Sequence, residues 1–212
     1  MTITIRDEEL ILAKERAIYF PAQHLLAISD LHLGKSAHFR KSGLPIPSTL
    51  AQSDLDRLSL LLDTYQPSTL LINGDMLHHD VNTEVDQFYT WKQQYPTLKF
   101  ELVMGNHDQL DDFQYQQLGI HINDPSLCTE NFCFIHDAVR CNEKSLYPIS
   151  GHIHPGIAVI GKAKQRLKFP CFYFGDSYAV MPAFSLFTGL SLMKANAKSQ
   201  VFAITPTKVI KV

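Results

Sequence analysis

Five times along this chain an apolar run stops at a short polar cluster of Asp, His or Asn. HLLAIS leads to Asp30 and His32, TLLIN to Gly74 and Asp75, FELVM to Gly105, Asn106, His107 and Asp108, CFI to His136, and LYPIS to Gly151, His152 and His154. Short continuous apolar runs bounded by glycine read as strands buried on both faces. Helical spacing separates the first three. Leu50, Leu55, Leu58, Leu61 and Leu62 predict a helix over 48–65 capped by Ser48, and a second helix is expected around 84–95. The order β-α-β-α-β implies parallel strands, and the carboxyl ends of parallel strands gather along one edge of an open sheet. Polar groups far apart in sequence can therefore meet.

The flanking sequence fits around this unit. Up to residue 28 the segments TITI, LILA and RAIYF alternate like strands, which predicts a hairpin leading into the buried strand that ends at Asp30. Beyond residue 120 the segments CFIHD, LYPISGHIH, IAVIGKAKQRLKF, CFYF and QVFAIT read as short strands with little helix between them. There is no internal repeat and no Gly/Ser-rich linker, so one α/β domain over 1–212 with two packed sheets is expected. A chain of 212 residues, 45% hydrophobic, buries roughly 70% of its unfolded surface. A formal charge of -2 and a pI near 6.5 exert no global pull toward nucleic acid or membrane, so an anionic partner must be drawn by local patches or bound metal. The four cysteines lack C-x-x-C spacing and MTITIRDEEL is not a signal peptide, which points to a reducing, cytoplasmic compartment. No apolar run approaches the roughly 20 residues of a membrane span, so no membrane association is expected.

The polar clusters have the chemistry of metal ligands. Carboxylates (Asp30, Asp75), imidazoles (His32, His136, His152, His154) and one carboxamide (Asn106) make an N/O set suited to Mn, Fe or Zn. In extended backbone, residues i and i+2 share a side, so Asp30 with His32, and His152 with His154, can each offer two side chains to one place. The glycines let the backbone come close. Taken singly, D-x-H is commonly a turn, GNHD a hairpin turn, GHIH a polar strand edge, and His136 a hydrogen-bonded histidine. All five in this order, each after a strand, point to a metal site.

The ordered set D-x-H, G-D, G-N-H-D, H and G-H-x-H closely resembles the calcineurin-like metallophosphoesterase superfamily, from Asp30 to His154. The resemblance implies a four-layer α/β/β/α sandwich with two mixed β-sheets and a dinuclear centre. One ion would be held by Asp30, His32, Asp75 and His154, the other by Asp75, Asn106, His136 and His152, with Asp75 bridging. Mn is the expected metal, with Fe or Zn as alternatives. Two such ions bridge a hydroxide for in-line attack on phosphorus. His107, the family's non-ligand histidine, would stabilise the phosphoryl charge or protonate the leaving oxygen. Many members read G-D-x-x-D, where the second Asp orients that histidine; His78 stands there in this chain. Asp108 or a neutral His78 are the alternatives for this orienting role.

RAIYFP, DLHLGKSAHFRKSGLPIP and MPAFSLFTG further resemble the ligase-associated DNA-damage-response phosphoesterases of the PdeM type. This implies a DNA substrate and a functional association with a DNA ligase and a helicase. Lys35 and Arg40 are candidate phosphate contacts, or else part of a solvated loop. Independently of family, Lys162, Lys164, Arg166 and Lys168 alternate in GKAKQRLK, so on one strand they would form a basic stripe. Such a stripe either follows a phosphate backbone or protects a sheet edge. Phe169, Phe172, Tyr173 and Phe174 could stack on bases, although core packing is the commoner use of such a run. The expected function is a dinuclear metal-dependent phosphodiesterase, a DNA endonuclease or repair phosphoesterase. The alternatives are a small-nucleotide phosphodiesterase or phosphatase, and a catalytically inactive scaffold that binds protein partners.

Overall fold

The computed structural model describes residues 1–212 apart from 42, 44, 46, 48, 49, 79–82, 144 and 162–164, and apart from the side chains of residues 41 and 83. Its first sheet follows the chain in order: β1 (Thr2–Ile5), β2 (Glu8–Ala13), β3 (Ala17–Phe20), β4 (Leu25–Ile28), β5 (Thr69–Asn73), β6 (Lys99–Val103) and β7 (His121–Asn123). The N-terminal alternation is an antiparallel meander from β1 to β4. From β4 to β7 neighbours are parallel, as helical crossovers require.

The described helices are α1 (Lys35–Lys41), α2 (Leu50–Tyr65), α3 (Thr83–Lys92) and α4 (Asp112–Gln117). In α2 four of the five expected leucines, Leu55, Leu58, Leu61 and Leu62, are buried in one cluster with Leu26, Ile28, Leu70 and Ile72 of the first sheet and Phe88 and Trp91 of α3, while Leu50 is only partly buried. The expected cap Ser48 lies outside the described residues. Helix α3 stops at Lys92, ahead of Pro96, whose ring disfavours helical backbone in the residue before it. Helices α1 and α4 were not expected, because six or seven residues carry too little apolar periodicity to register. Even so, α4 has a local start signal: the Asp111 side chain accepts from the Gln114 N–H (2.8 Å), and the Gln114 side chain accepts from the Asp111 N–H (3.1 Å).

The second sheet contains β8 (Ser126–Cys128), β9 (Phe132–Ile135), β10 (Tyr147–Ser150), β11 (Pro155–Ile160), β12 (Arg166–Phe174), β13 (Ala179–Val180), β14 (Ser191–Leu192), β15 (Gln200–Ile204) and β16 (Val209–Lys211). Its order is β14-β11-β12-β13-β10-β9-β8, with β15 on β12 and β16 on β15. Strand β10 runs parallel to both β9 and β13, so the sheet is mixed. The architecture is thus an α/β sandwich with two mixed sheets. Between the sheets lie Leu10, Phe20 and Leu25 from one side and Phe132, Phe134, Phe172 and Phe202 from the other. Phe20 meets Phe132 and Phe134 edge-on, each at 5.4 Å.

One sequence expectation fails here. IAVIGKAKQRLKF is not a single strand but a hairpin, with Ile160 of β11 opposite Arg166 of β12 and the Gly161 N–H closing the turn onto Gln165. Alternating charge imitates strand periodicity, and only long-range pairing shows where the chain reverses. Arg166 and Lys168 share an exposed part of β12, whereas Lys162 and Lys164 lie outside the described residues. At about 3.3 Å per residue, Ile160 and its partner Arg166 sit roughly 20 Å along the hairpin from His154. Strand β12 continues through Pro170 into CFYF, where Phe172 and Phe174 enter the core between the sheets while Cys171 and Tyr173 pack beneath Ile157, Tyr178 and Met193 on the opposite face. This burial corrects the idea that Phe172, Tyr173 or Phe174 stack on bases. Among the described residues, no helix is long and apolar enough to cross a membrane.

Candidate metal centre

Asp30 and His32 follow β4, Asp75 follows β5, Asn106 follows β6, His136 follows β9, and His152 and His154 follow β10. Their polar atoms converge on two points. In the first group Asp30 Oδ1 lies 3.2 Å from His154 Nε2, which lies 3.3 Å from His32 Nε2. In the second, His136 Nε2 lies 3.4 Å from Asp75 Oδ1, 3.2 Å from His152 Nδ1 and 3.2 Å from Asn106 Oδ1. The Asp and His ligand atoms of each group lie within 4.8 Å of one another. Bare imidazole nitrogens facing each other at such distances repel unless a proton or cation lies between them. A carboxylate with two imidazoles fits a borderline divalent cation, so the donor set matches the expected metals.

Electrostatics prepare the groups for such a cation. Burial, then the Lys35 ammonium, pushes His32 down to about 3 against the pull of Asp30 and Asp75, so its ring is neutral and can donate a lone pair. Burial alone would raise Asp75, but the hydrogen bond and charge of His136, the His107 N–H and His32 hold it down to about 2. His136 Nδ1 lies 3.3 Å from the Asn73 carbonyl; donation there orients the ring, and a cation replacing the Nε2 proton that faces Asp75 would take that nitrogen as a donor.

The backbone achieves this convergence in a way the sequence reading did not foresee. Asp30 (φ 53°), His32 (51°), Asp75 (49°), His152 (66°) and His154 (52°) all adopt left-handed conformations, so D-x-H and H-x-H are not extended. Such geometry costs about 1–3 kcal/mol per non-glycine residue and persists where surrounding contacts over-determine it. Here those contacts are the Asp30 N–H on the Gly74 carbonyl (3.0 Å), the His32 N–H on the Asp75 carbonyl (2.9 Å) and the His152 N–H on the Asp30 carboxylate (3.2 Å). The alternative to extended pairing is divergence: His152 joins the second group and His154 the first.

Two glycines are required by space. A Cβ on Gly74, at φ 83°, would lie 1.9 Å from His136 Nδ1, and one on Gly151 would lie 1.8 Å from Ser29 Oγ and 2.6 Å from Asp30 Oδ2. Gly151→Ala should therefore displace Asp30 and weaken metal affinity by about 10–100-fold, the usual effect of disturbing a ligand's support. Calorimetric metal titration of the folded variant checks this; wild-type affinity would contradict the packing argument.

His107 stands outside both groups, half-buried, its ring 5.6 Å from that of His32. Its N–H donates to Asp75 Oδ1 at 3.0 Å. Of its two candidate orienters, Asp108 has both oxygens occupied, accepting the Leu77 N–H (2.9 Å) and the Gly105 N–H (3.0 Å), and burial pushes it up to about 6. It ties the Asp75 loop to the Asn106 loop. His78 stacks on His107 at 5.1 Å with 28° between planes. Lys35 is half-buried beside the first group, where desolvation lowers its pKa against the pull of Asp30 and Asp75. Arg40 is tied down, pairing with buried Glu84 at 3.2 Å and donating to Ser36 Oγ at 3.0 Å. The site on this side is backed by helix α1, not by a loop.

The sequence reading missed a buried brace. Within MPAFSLFTG, the Met181 N–H donates to Ser150, the Phe184 N–H to Ser29 and the Ser185 N–H to Asp30, joining the ligand-bearing ends of β4 and β10 across the two sheets. Arg16 donates to the carbonyls of Ala183 and Ser185, and Arg57, paired with Asp54 at 2.6 Å, donates to that of Phe184. A signal existed: Asp54 falls on the apolar side of α2, four residues before Leu58.

The model of the calcineurin-like phosphoesterase family matches residues 24–194. Among solved structures, the Pseudomonas putida nuclease MPE is 26% identical, covers 100% of this chain and 99% of its own, and superposes with a TM-score of 0.85. The E. coli phosphoesterase Yfce is 12% identical over 89% of this chain and 97% of its own, with a TM-score of 0.47. A protein of unknown function from Aquifex aeolicus, AQ665, is 20% identical over 61% and 78%, with a TM-score of 0.41. No match is found among curated proteins. That family binds two divalent metals, and two groups suited to them are present here. With the match spanning every ligand-bearing strand end, the chain belongs to the calcineurin-like phosphoesterase family.

Proposed function

We propose that this protein is a metal-dependent phosphodiesterase whose substrate is DNA. The observation that carries the reading is the convergence of two N/O groups at one edge of the sandwich with His107 beside them. Asp30, His32 and His154 would hold one ion and Asn106, His136 and His152 the other, with Asp75 shared. When bound, a pair of divalent ions activates water and neutralises charge at phosphorus. The chain's own residues do the rest. His107 donates to a phosphoryl oxygen or protonates the leaving oxygen. Its N–H contact with Asp75 keeps its loop in register with the ligands. Lys35 contributes positive charge on the side of the first group. The name of the Pseudomonas putida nuclease, similar over the whole chain, supports a nucleic-acid substrate. Association with a DNA ligase and a helicase rests on sequence resemblance alone.

The test is hydrolysis of bis(p-nitrophenyl) phosphate, p-nitrophenyl phosphate, a labelled oligonucleotide and plasmid DNA by protein stripped with chelator and reloaded with Mn, Fe or Zn. Diester and DNA cleavage restored by metal, Mn above the others, is expected. Turnover of the monoester alone would make the protein a phosphatase. Inertness toward all four substrates in the loaded protein would leave a scaffold.

A further inference from the structure

Beside the second ligand group opens a cleft of about 360 Å³. Asn106, His136 and His152 are among its lining, so a phosphate lying across the ligand groups has direct access to it. Met104, Pro125 and Ile135 provide apolar surface, and the charged lining is Asp124, Asp137 and Arg140. The volume falls within the range of small-molecule sites and is large enough for one nucleoside.

Arg140 is the informative residue. Among the described residues its one ion pair is with Asp137, at 3.7 Å, with the arginine side chain 79% exposed. Asp137 is already engaged, because its Oδ1 accepts the Val139 N–H at 3.1 Å. An exposed pair of that length contributes about 0–1 kcal/mol and does little to hold the guanidinium. A planar fork of donors next to a phosphate-processing centre, weakly held by its own carboxylate, matches a second phosphate far better than it matches Asp137. Lys35 stands by the first group, sharing a small pocket lining with His32. Each group thus has a cation beside it, which a substrate with a single phosphate cannot fully exploit.

We propose that this cleft is a subsite for the nucleotide adjoining the scissile phosphate, with Arg140 binding that nucleotide's outer phosphate. The inference rests on the phosphodiesterase reading and deepens it: the substrate is an oligonucleotide with at least two consecutive phosphates, not an isolated small diester.

The experiment compares wild type, Arg140→Gln and Arg140→Lys on two substrates and in one binding assay. With a short labelled oligonucleotide, Arg140→Gln should raise KM by about tenfold to a hundredfold, the usual weight of a hydrogen bond to a charged group, with kcat nearly unchanged. With bis(p-nitrophenyl) phosphate, which has no second phosphate, all three proteins should match. Oligonucleotide affinity, followed by anisotropy in chelator so that no turnover occurs, should show a salt slope shallower by about 0.7 in Arg140→Gln. Arg140→Lys should restore the slope and only part of the affinity, because an ammonium lacks the fork. Equal oligonucleotide KM and equal slopes in wild type and Arg140→Gln would overturn the subsite, as would an equal loss on both substrates. If the metal-loaded wild type cleaves neither substrate yet the slopes differ, the hydrolytic reading fails while the subsite stands.

Discussion

Asp75→Asn is expected to reduce hydrolysis of bis(p-nitrophenyl) phosphate by at least about 10³-fold and to lower bound metal at both groups. The substitution keeps the side chain's shape, and an oxygen remains to accept the His107 N–H that Asp75 Oδ1 now accepts at 3.0 Å. What it removes is charge. Asp75 is 2% exposed and held ionised by His136, so its carboxylate is a fixed negative centre facing the imidazoles of the second group. If it is also the ligand shared by both ions, its loss weakens them together, and metal charge at phosphorus is worth several kcal/mol, each 1.36 of which is a factor of ten in rate. Metal analysis alongside kinetics provides the check. A well-folded variant with both ions and near-native turnover would remove Asp75 from the centre.

His107→Ala should separate rate from metal binding. Its ring belongs to neither ligand group, and the backbone N–H that steadies Asp75 survives in alanine. Metal content should therefore stay at the wild-type level while turnover falls by roughly 10²–10⁴, the weight of a general acid or an electrostatic donor. The stacked partner His78 should not replace it, because both oxygens of Asp108, the other candidate orienter, already accept backbone N–H donors and hold loops together. Loss of an ion in the variant would mean that the imidazole is a ligand and that the roles proposed here are wrong.

How far the sequence reaches can be judged from particular residues. Strands β4, β5 and β6 were legible because burial on both faces demands unbroken apolar runs, and their ends were legible because glycine and polar residues interrupt them. The convergence of the polar clusters was legible for the same reason: a sheet edge is where Asp30, His32, Asp75, Asn106, His136, His152 and His154 could meet. Helix α2 announced itself through its leucines, while α1, too short for a period, did not.

The sequence by itself thus determined the elements long enough to carry a periodicity, and the chemistry at their ends, because both depend on local spacing. Tertiary structure alone decided the backbone that achieves this. The resemblance already assigns His152 and His154 to different ions, but the left-handed backbone of both, with the His152 N–H held by the Asp30 carboxylate more than a hundred positions away, is not the extended H-x-H that spacing suggests. IAVIGKAKQRLKF, which reads as one strand, is divided between β11 and β12 because their antiparallel pairing outweighs a continuous alternation. Asp108 became a strut between loops, and Arg57 with Asp54 a clamp on the segment that reaches Asp30, because desolvated charges take whatever donors and acceptors the closed fold places beside them. Those partners are chosen by chain closure in three dimensions, which spacing along one chain does not encode.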